Sequence, residues 1–111
     1  MTDLDGVWAP EACTLPLLER PLRLSEFDML FAHGLRAQER LSPTVLRWTL
    51  DPMAESTARY LAARETACCS FFTFDVTARG EAVLVDVRVP PTQVKVLDGL
   101  AARASAGLAA A

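Results

Sequence analysis

Side chains that commonly carry enzyme chemistry are scarce in this chain: 111 residues hold one histidine and three cysteines. A lone His33 rules out the paired histidines of an H-E-x-x-H zinc helix, and there is no Ser-His-Asp set. The five glycines form neither a phosphate-cradling loop nor a dinucleotide fingerprint. An ordinary hydrolase or dehydrogenase is therefore without its motifs. Positive charge is not in excess either, with 11 Lys and Arg against 14 Asp and Glu and a net charge of −3. That balance lacks the basic surface needed for non-specific binding to nucleic acid or to an anionic membrane. No apolar run approaches the ~20 residues of a membrane span. The opening Met1-Thr2-Asp3-Leu4-Asp5 is acidic and has no apolar stretch, so a secretory signal is not expected and a cytoplasmic location is. In that compartment thiols stay reduced, and an odd cysteine count does not suggest a disulfide framework.

What is present describes a folded domain. With 51% hydrophobic and 23% charged residues, the chain has enough apolar material for one core. Residues 1–20, with Pro10 and Pro16, read as an extended arm with a short strand around residues 12–17. Residues 21–111 read as a single α/β domain. Ser25 as N-cap, Asp28 three positions later and the Leu24/Met29 staple spacing predict a helix over about 26–39. Its stripe is Phe27, Leu30, Phe31, Gly34 and Leu35. His33 falls between stripe positions and reads as solvated or hydrogen-bonded.

Alternation of Leu46, Trp48 and Leu50 with Val45, Arg47 and Thr49 predicts a half-buried strand over 44–50. Asp51-Pro52 then starts a second helix, with Asp as cap and Pro where its missing N–H does no harm. That helix runs to about residue 67, with Ala58, Leu61, Ala62, Glu65 and Cys68 on one stripe. Strands follow at about 71–77 and 82–89, joined by a turn in which Gly80 is free to take positive φ. A last helix begins near Thr92. The expected order is (β)αβαββα: a small two-layer α/β sandwich with a mixed sheet, a crossover at 44–77 and helices on one face.

The feature that stands out is the adjacent pair Cys68-Cys69, placed where helix gives way to strand. Successive side chains diverge by roughly 100° around a helix and by a half-turn along a strand. Only an irregular junction lets two neighbouring thiols converge. Their Cα atoms are ~3.8 Å apart, below the ~4.4 Å lower limit usual for a disulfide. A metal or metalloid bridge suits convergent neighbours better, because metal–sulfur bonds are longer, ~2.3 Å for zinc. Two readings stand side by side. In one the pair is a soft clamp for thiophilic ions; in the other both cysteines are small hydrophobes packed in the core. Cys13 is the candidate third thiolate, which would suit Hg(II), Cu(I) or As(III). The chain lacks the C-x₂-C pairs of structural zinc.

Two effects weigh against a nucleophilic cysteine. A helix C-terminus disfavours an anion, and an ionised Glu65 one turn earlier holds a proton on a nearby thiol. Arg64 offsets both if it folds over the site. The aromatic run Phe71, Phe72 and Phe74 reads as sheet packing.

The stretch Arg64-Glu65-Thr66-Ala67-Cys68-Cys69-Ser70-Phe71-Phe72-Thr73-Phe74 resembles a group of small bacterial proteins with a Glu-x-x-Cys-Cys-x-Phe-Phe-x-Phe pattern. The segments 8–16 and 20–28 look like an actinobacterial branch of it. The resemblance spans about residues 8–104. It implies an association with heavy-metal response and points to Glu65, Cys68 and Cys69 as site positions, with Cys13 added in this branch. It supplies no mechanism.

Three functional expectations follow. The first is a binding protein, not an enzyme, that captures a soft metal or metalloid through Cys68 and Cys69, with Cys13 and Glu65 assisting. The second is a thiol-dependent redox enzyme or lyase with Cys68 or Cys69 as nucleophile and Glu65 as proton donor. The third is a non-catalytic homodimeric module, joined through an exposed edge such as strand 82–89.

Overall fold

The computed structural model describes the backbone of residues 21–68 and 71–110, and the side chains of residues 25–67 and 71–108. The expected arm at 1–20, with its short strand, lies outside the described residues. Within them the order is α1 (Pro21–Gly34), β1 (Leu35–Ser42), β2 (Val45–Leu50), a 3-10 turn (Pro52–Ala54), α2 (Glu55–Cys68), β3 (Thr73–Arg79), β4 (Ala82–Arg88), a second 3-10 turn (Pro91–Gln93) and α3 (Val94–Ala110). Four strands form one sheet in the order β1-β2-β4-β3. The helices pack against it, making the α/β two-layer architecture that the alternating and helical patterns predict.

Two details differ from the sequence reading. The first helix begins at Pro21, which places Ser25 inside the helix and not at its cap; proline is tolerated there because the first-turn N–H has no helical acceptor. It ends at Gly34, and residues 35–42 form a strand where helix was expected. Leu35-Arg36-Ala37-Gln38-Glu39-Arg40-Leu41-Ser42 is built largely of good helix formers. Pairing with β2 overrides that preference, with register shifts between Leu35 and Ala37 and between Arg40 and Ser42. The Asp51 N–H donates to the Gly34 carbonyl at 2.8 Å, fixing the point where helix becomes strand.

The second difference is strand direction. Every neighbouring pair is antiparallel, so the sheet is not mixed. The unit β2–α2–β3 is a crossover, as expected, but β4 lies between its two strands. Strand 82–88 is thus interior and offers no edge. The edges are β1 and β3.

One face of the sheet is dry. Leu46, Trp48 and Leu50 from β2 and Val83, Val85 and Val87 from β4 are all buried. Phe27, Leu30 and Phe31 of α1, Ala58 and Leu61 of α2, and Leu97, Leu100 and Ala104 of α3 close over them. Each large side chain so buried contributes about 1.5–3 kcal/mol of transfer free energy. Phe31 meets Trp48 edge-on at 4.9 Å between ring centroids. The opposite face carries Arg47, Thr49, Asp75, Asp86 and Arg88, half-buried or exposed, as the period-two alternation requires. The β3–β4 turn places Gly80 at φ 59°, the left-handed geometry that glycine adopts without steric penalty. Among the described residues, no helix is long and apolar enough to cross a membrane.

Candidate functional site

The last turn of α2 and the start of β3 frame the cysteine pair. Cys68 is the final residue of α2; its side chain, together with Cys69 and Cys13, lies outside the described residues. The convergence of the three sulfurs therefore belongs to no observation here. Glu65, the fourth expected site residue, is fully described and is 0% exposed. It is the one buried charged residue among those described, and it sits on the α2 stripe with Ala58, Leu61 and Ala62, as the helical spacing predicts.

Burying a carboxylate is expensive unless charge and hydrogen bonds compensate. The compensation comes partly from Arg64, whose Nε lies 3.9 Å from Glu65 Oε2. Arg64 is itself anchored: Nη1 contacts Glu26 Oε1 of α1 at 2.5 Å, and its guanidinium lies 5.5 Å from the Tyr60 ring centroid. The arginine thus lies across the junction of α1 and α2, between one buried and one exposed carboxylate. Sequence reasoning raised Arg64 as a possible counter-charge. The Glu26 partner was not legible, because the two lie 38 positions apart in the chain.

On the other side of the cysteines the chain enters the core through aromatic rings. Phe71 and Phe72 have centroids 4.8 Å apart, Phe72 and Phe74 5.3 Å, and Phe74 stacks on Phe27 at 6.5 Å. Phe72 is buried. The rings pack as expected.

No protein family, curated protein or solved structure matches the chain.

A second constellation went unread in the sequence. A cleft of about 480 Å³ between α1 and the 51–57 segment is lined by Glu26, Met29, His33, Asp51 and Met53. His33 is exposed, and its Nδ1 is 3.1 Å from the Met29 carbonyl oxygen. Asp51 caps the 3-10 turn by accepting the Met53 N–H and accepts from Arg36 Nη2 at 2.9 Å. The Met53 N–H first, and then the Arg36 guanidinium, hold the Asp51 carboxyl below its ordinary pKa. The available signal was the four-residue spacing of Met29 and His33, which puts both on one helix face. Nothing local linked them to Met53. Among the described residues, no group of three or more His, Cys, Asp or Glu could hold a metal ion.

Proposed function

We propose that this protein captures a soft metal or metalloid ion, of the Hg(II), Cu(I) or As(III) type, through the vicinal thiols of Cys68 and Cys69. Cys13 is the third sulfur in this reading, and the ion is cargo, not a cofactor. The observation that carries the proposal is Glu65: a wholly buried carboxylate three residues before Cys68 on the same helix. Such a group is costly to keep in a core without charge or hydrogen-bond partners, and this one stands one helical turn from the thiols in the chain. Thiols must lose their protons to bind an ion, and a neighbouring carboxylate orients or accepts hydrogen bonds from the ligands.

Arg64 supports the same reading. Its positive charge beside Glu65 counters the carboxylate field that otherwise holds protons on the thiols. The resemblance of residues 64–74 to small proteins associated with heavy-metal response points the same way. Phe71 and Phe72, two and three positions beyond Cys69, put apolar side chains next to the pair in the chain.

Native mass spectrometry of the reduced protein, incubated separately with Hg(II), Cu(I) and arsenite, tests the proposal. One retained equivalent is expected for at least one ion, abolished by Cys68→Ser and by Cys69→Ser. Glu65→Gln should weaken it by roughly 10–100-fold, the range typical of residues supporting a ligand. Retention unchanged in both serine variants would overturn the assignment.

A further inference from the structure

The cleft between α1 and the 51–57 segment holds a different donor set from the cysteine site. Two of the few large apolar side chains left exposed among the described residues are methionines on its walls: Met29, 60% exposed, and Met53, 91% exposed. The thioether sulfur is a soft ligand with no charge. His33 lies one turn after Met29 on α1, in the same cleft. The Met29 carbonyl oxygen, 3.1 Å from His33 Nδ1, can only accept, so Nδ1 donates and Nε2 is the ring nitrogen left for a ligand. This is the arrangement that metal-binding imidazoles use: one ring nitrogen donates to a carbonyl and the other ligates.

The backbone anchors the turn that carries Met53 to the end of α1. The Asp51 N–H is bonded to the Gly34 carbonyl at 2.8 Å. A Cβ on Gly34 would stand only 2.8 Å from the Ala54 Cβ, so the absence of a side chain there lets the 3-10 turn close onto the helix end. The acidic groups of the cleft are already engaged. Asp51 is paired with Arg36, and Glu26 with Arg64. What remains for a ligand is two thioethers and one imidazole.

We propose that Met29, Met53 and His33 form a binding site for a monovalent soft cation, Cu(I) or its redox-inert analogue Ag(I). Neutral sulfur and imidazole donors match a soft monocation and give little to hard divalent ions, which need carboxylate or carbonyl oxygen. The site is independent of the cysteine pair and shares no ligand with it.

The test is a titration of Ag(I), as the nitrate, into a Cys13→Ser, Cys68→Ser, Cys69→Ser chain carrying ¹³C-methyl methionine, followed by NMR. One equivalent is expected to shift the methyl signals of Met29 and Met53 together. Met29→Leu, Met53→Leu and His33→Phe should each weaken binding by at least about tenfold, in line with the sensitivity of metal sites to their supporting groups. These positions are exposed, and Met to Leu nearly conserves volume, so the variants keep the fold. If the serine chain does not fold, the reduced wild-type chain serves, titrated past the capacity of its thiols. The methionine methyls report this cleft whatever the cysteines bind. Methyl signals unmoved at saturating Ag(I), or an affinity unchanged in His33→Phe, would overturn the proposal. Failure at the cysteines leaves these methyl shifts in place, so the two sites stand or fall separately.

Discussion

Trp48 is 1% exposed, yet its indole must place a polar N–H. It donates to Gln38 Oε1 at 2.8 Å. The Gln38 amide in turn donates to the Ala101 carbonyl at 3.1 Å and to Ser105 Oγ at 3.0 Å. One glutamine thus ties β1, β2 and α3 together. Gln38→Leu strands the indole N–H in a dry core, where a lost partner costs about 1–3 kcal/mol. Urea denaturation of Gln38→Leu should show a lower midpoint with an unchanged slope. Gln38→Glu, which keeps the acceptor, should recover part of the loss. Glu65 poses the opposite residue-scale problem. It is a buried charge whose surroundings include Arg64, and its place on the apolar stripe of α2 was legible from spacing alone.

Among the elements, the β2–β4 pair concentrates the electrostatics of the open sheet face. Arg47 stands opposite Asp86 in the register and grips it with Nε and Nη2 at 2.7 and 3.0 Å. On the other side Asp86 faces Asp75 across the β3–β4 ladder, a like-charge pair that is unfavourable unless countered. Arg88 counters it, with Nε 3.3 Å from Asp75 Oδ2. The Arg47 hydrogen bond first, and the arginine charges after it, hold the Asp86 carboxyl below its ordinary value of 3.8. Folded protein therefore binds that proton less readily than unfolded chain. The stabilisation is present above the unfolded pKa and is lost as pH falls through the lower folded one. Asp86→Asn should lower stability at pH 7 modestly, by about 1 kcal/mol or less, since Arg47 keeps over a third of its side chain in water. Thermal melts between about pH 2 and pH 7 check this: the difference between wild type and variant should shrink toward acid. The strand alternation behind this face was plain in the sequence. The arginine–aspartate pairing was not, because register is a tertiary property.

Among the described residues there is one core, and α3 completes it. Leu97, Leu100 and Ala104 are each 0% exposed, and α3 lies against α1, β1 and β2. Gly107 permits the close approach, since a Cβ there would meet the Phe31 Cβ at 2.6 Å. A domain of this size keeps only about 5–15 kcal/mol of net stability. Leaving that apolar surface open, on α3 and on the core it covers, removes a large share of that margin. A chain ending at Gln93 should show no cooperative thermal transition by circular dichroism, whereas the full chain should melt in a single step. A sharp transition in the shortened chain would mean that α1, α2 and the sheet form a core of their own.

Local chemistry wrote much of this protein directly. Alternating valines and leucines fixed which faces of β2 and β4 are dry. Asp51-Pro52 set the start of the turn into α2, and Gly80 permitted the β3–β4 turn. These signals act over a few residues, through backbone sterics and side-chain periodicity, so a linear reading can carry them. Only the tertiary structure decided that residues 35–42 are strand, that β4 sits between β2 and β3, and that Met53 lines the same cleft as Met29 and His33. Each of those outcomes depends on a partner distant in the chain. Pairing and burial there outweigh local preferences worth less than about 1 kcal/mol per residue.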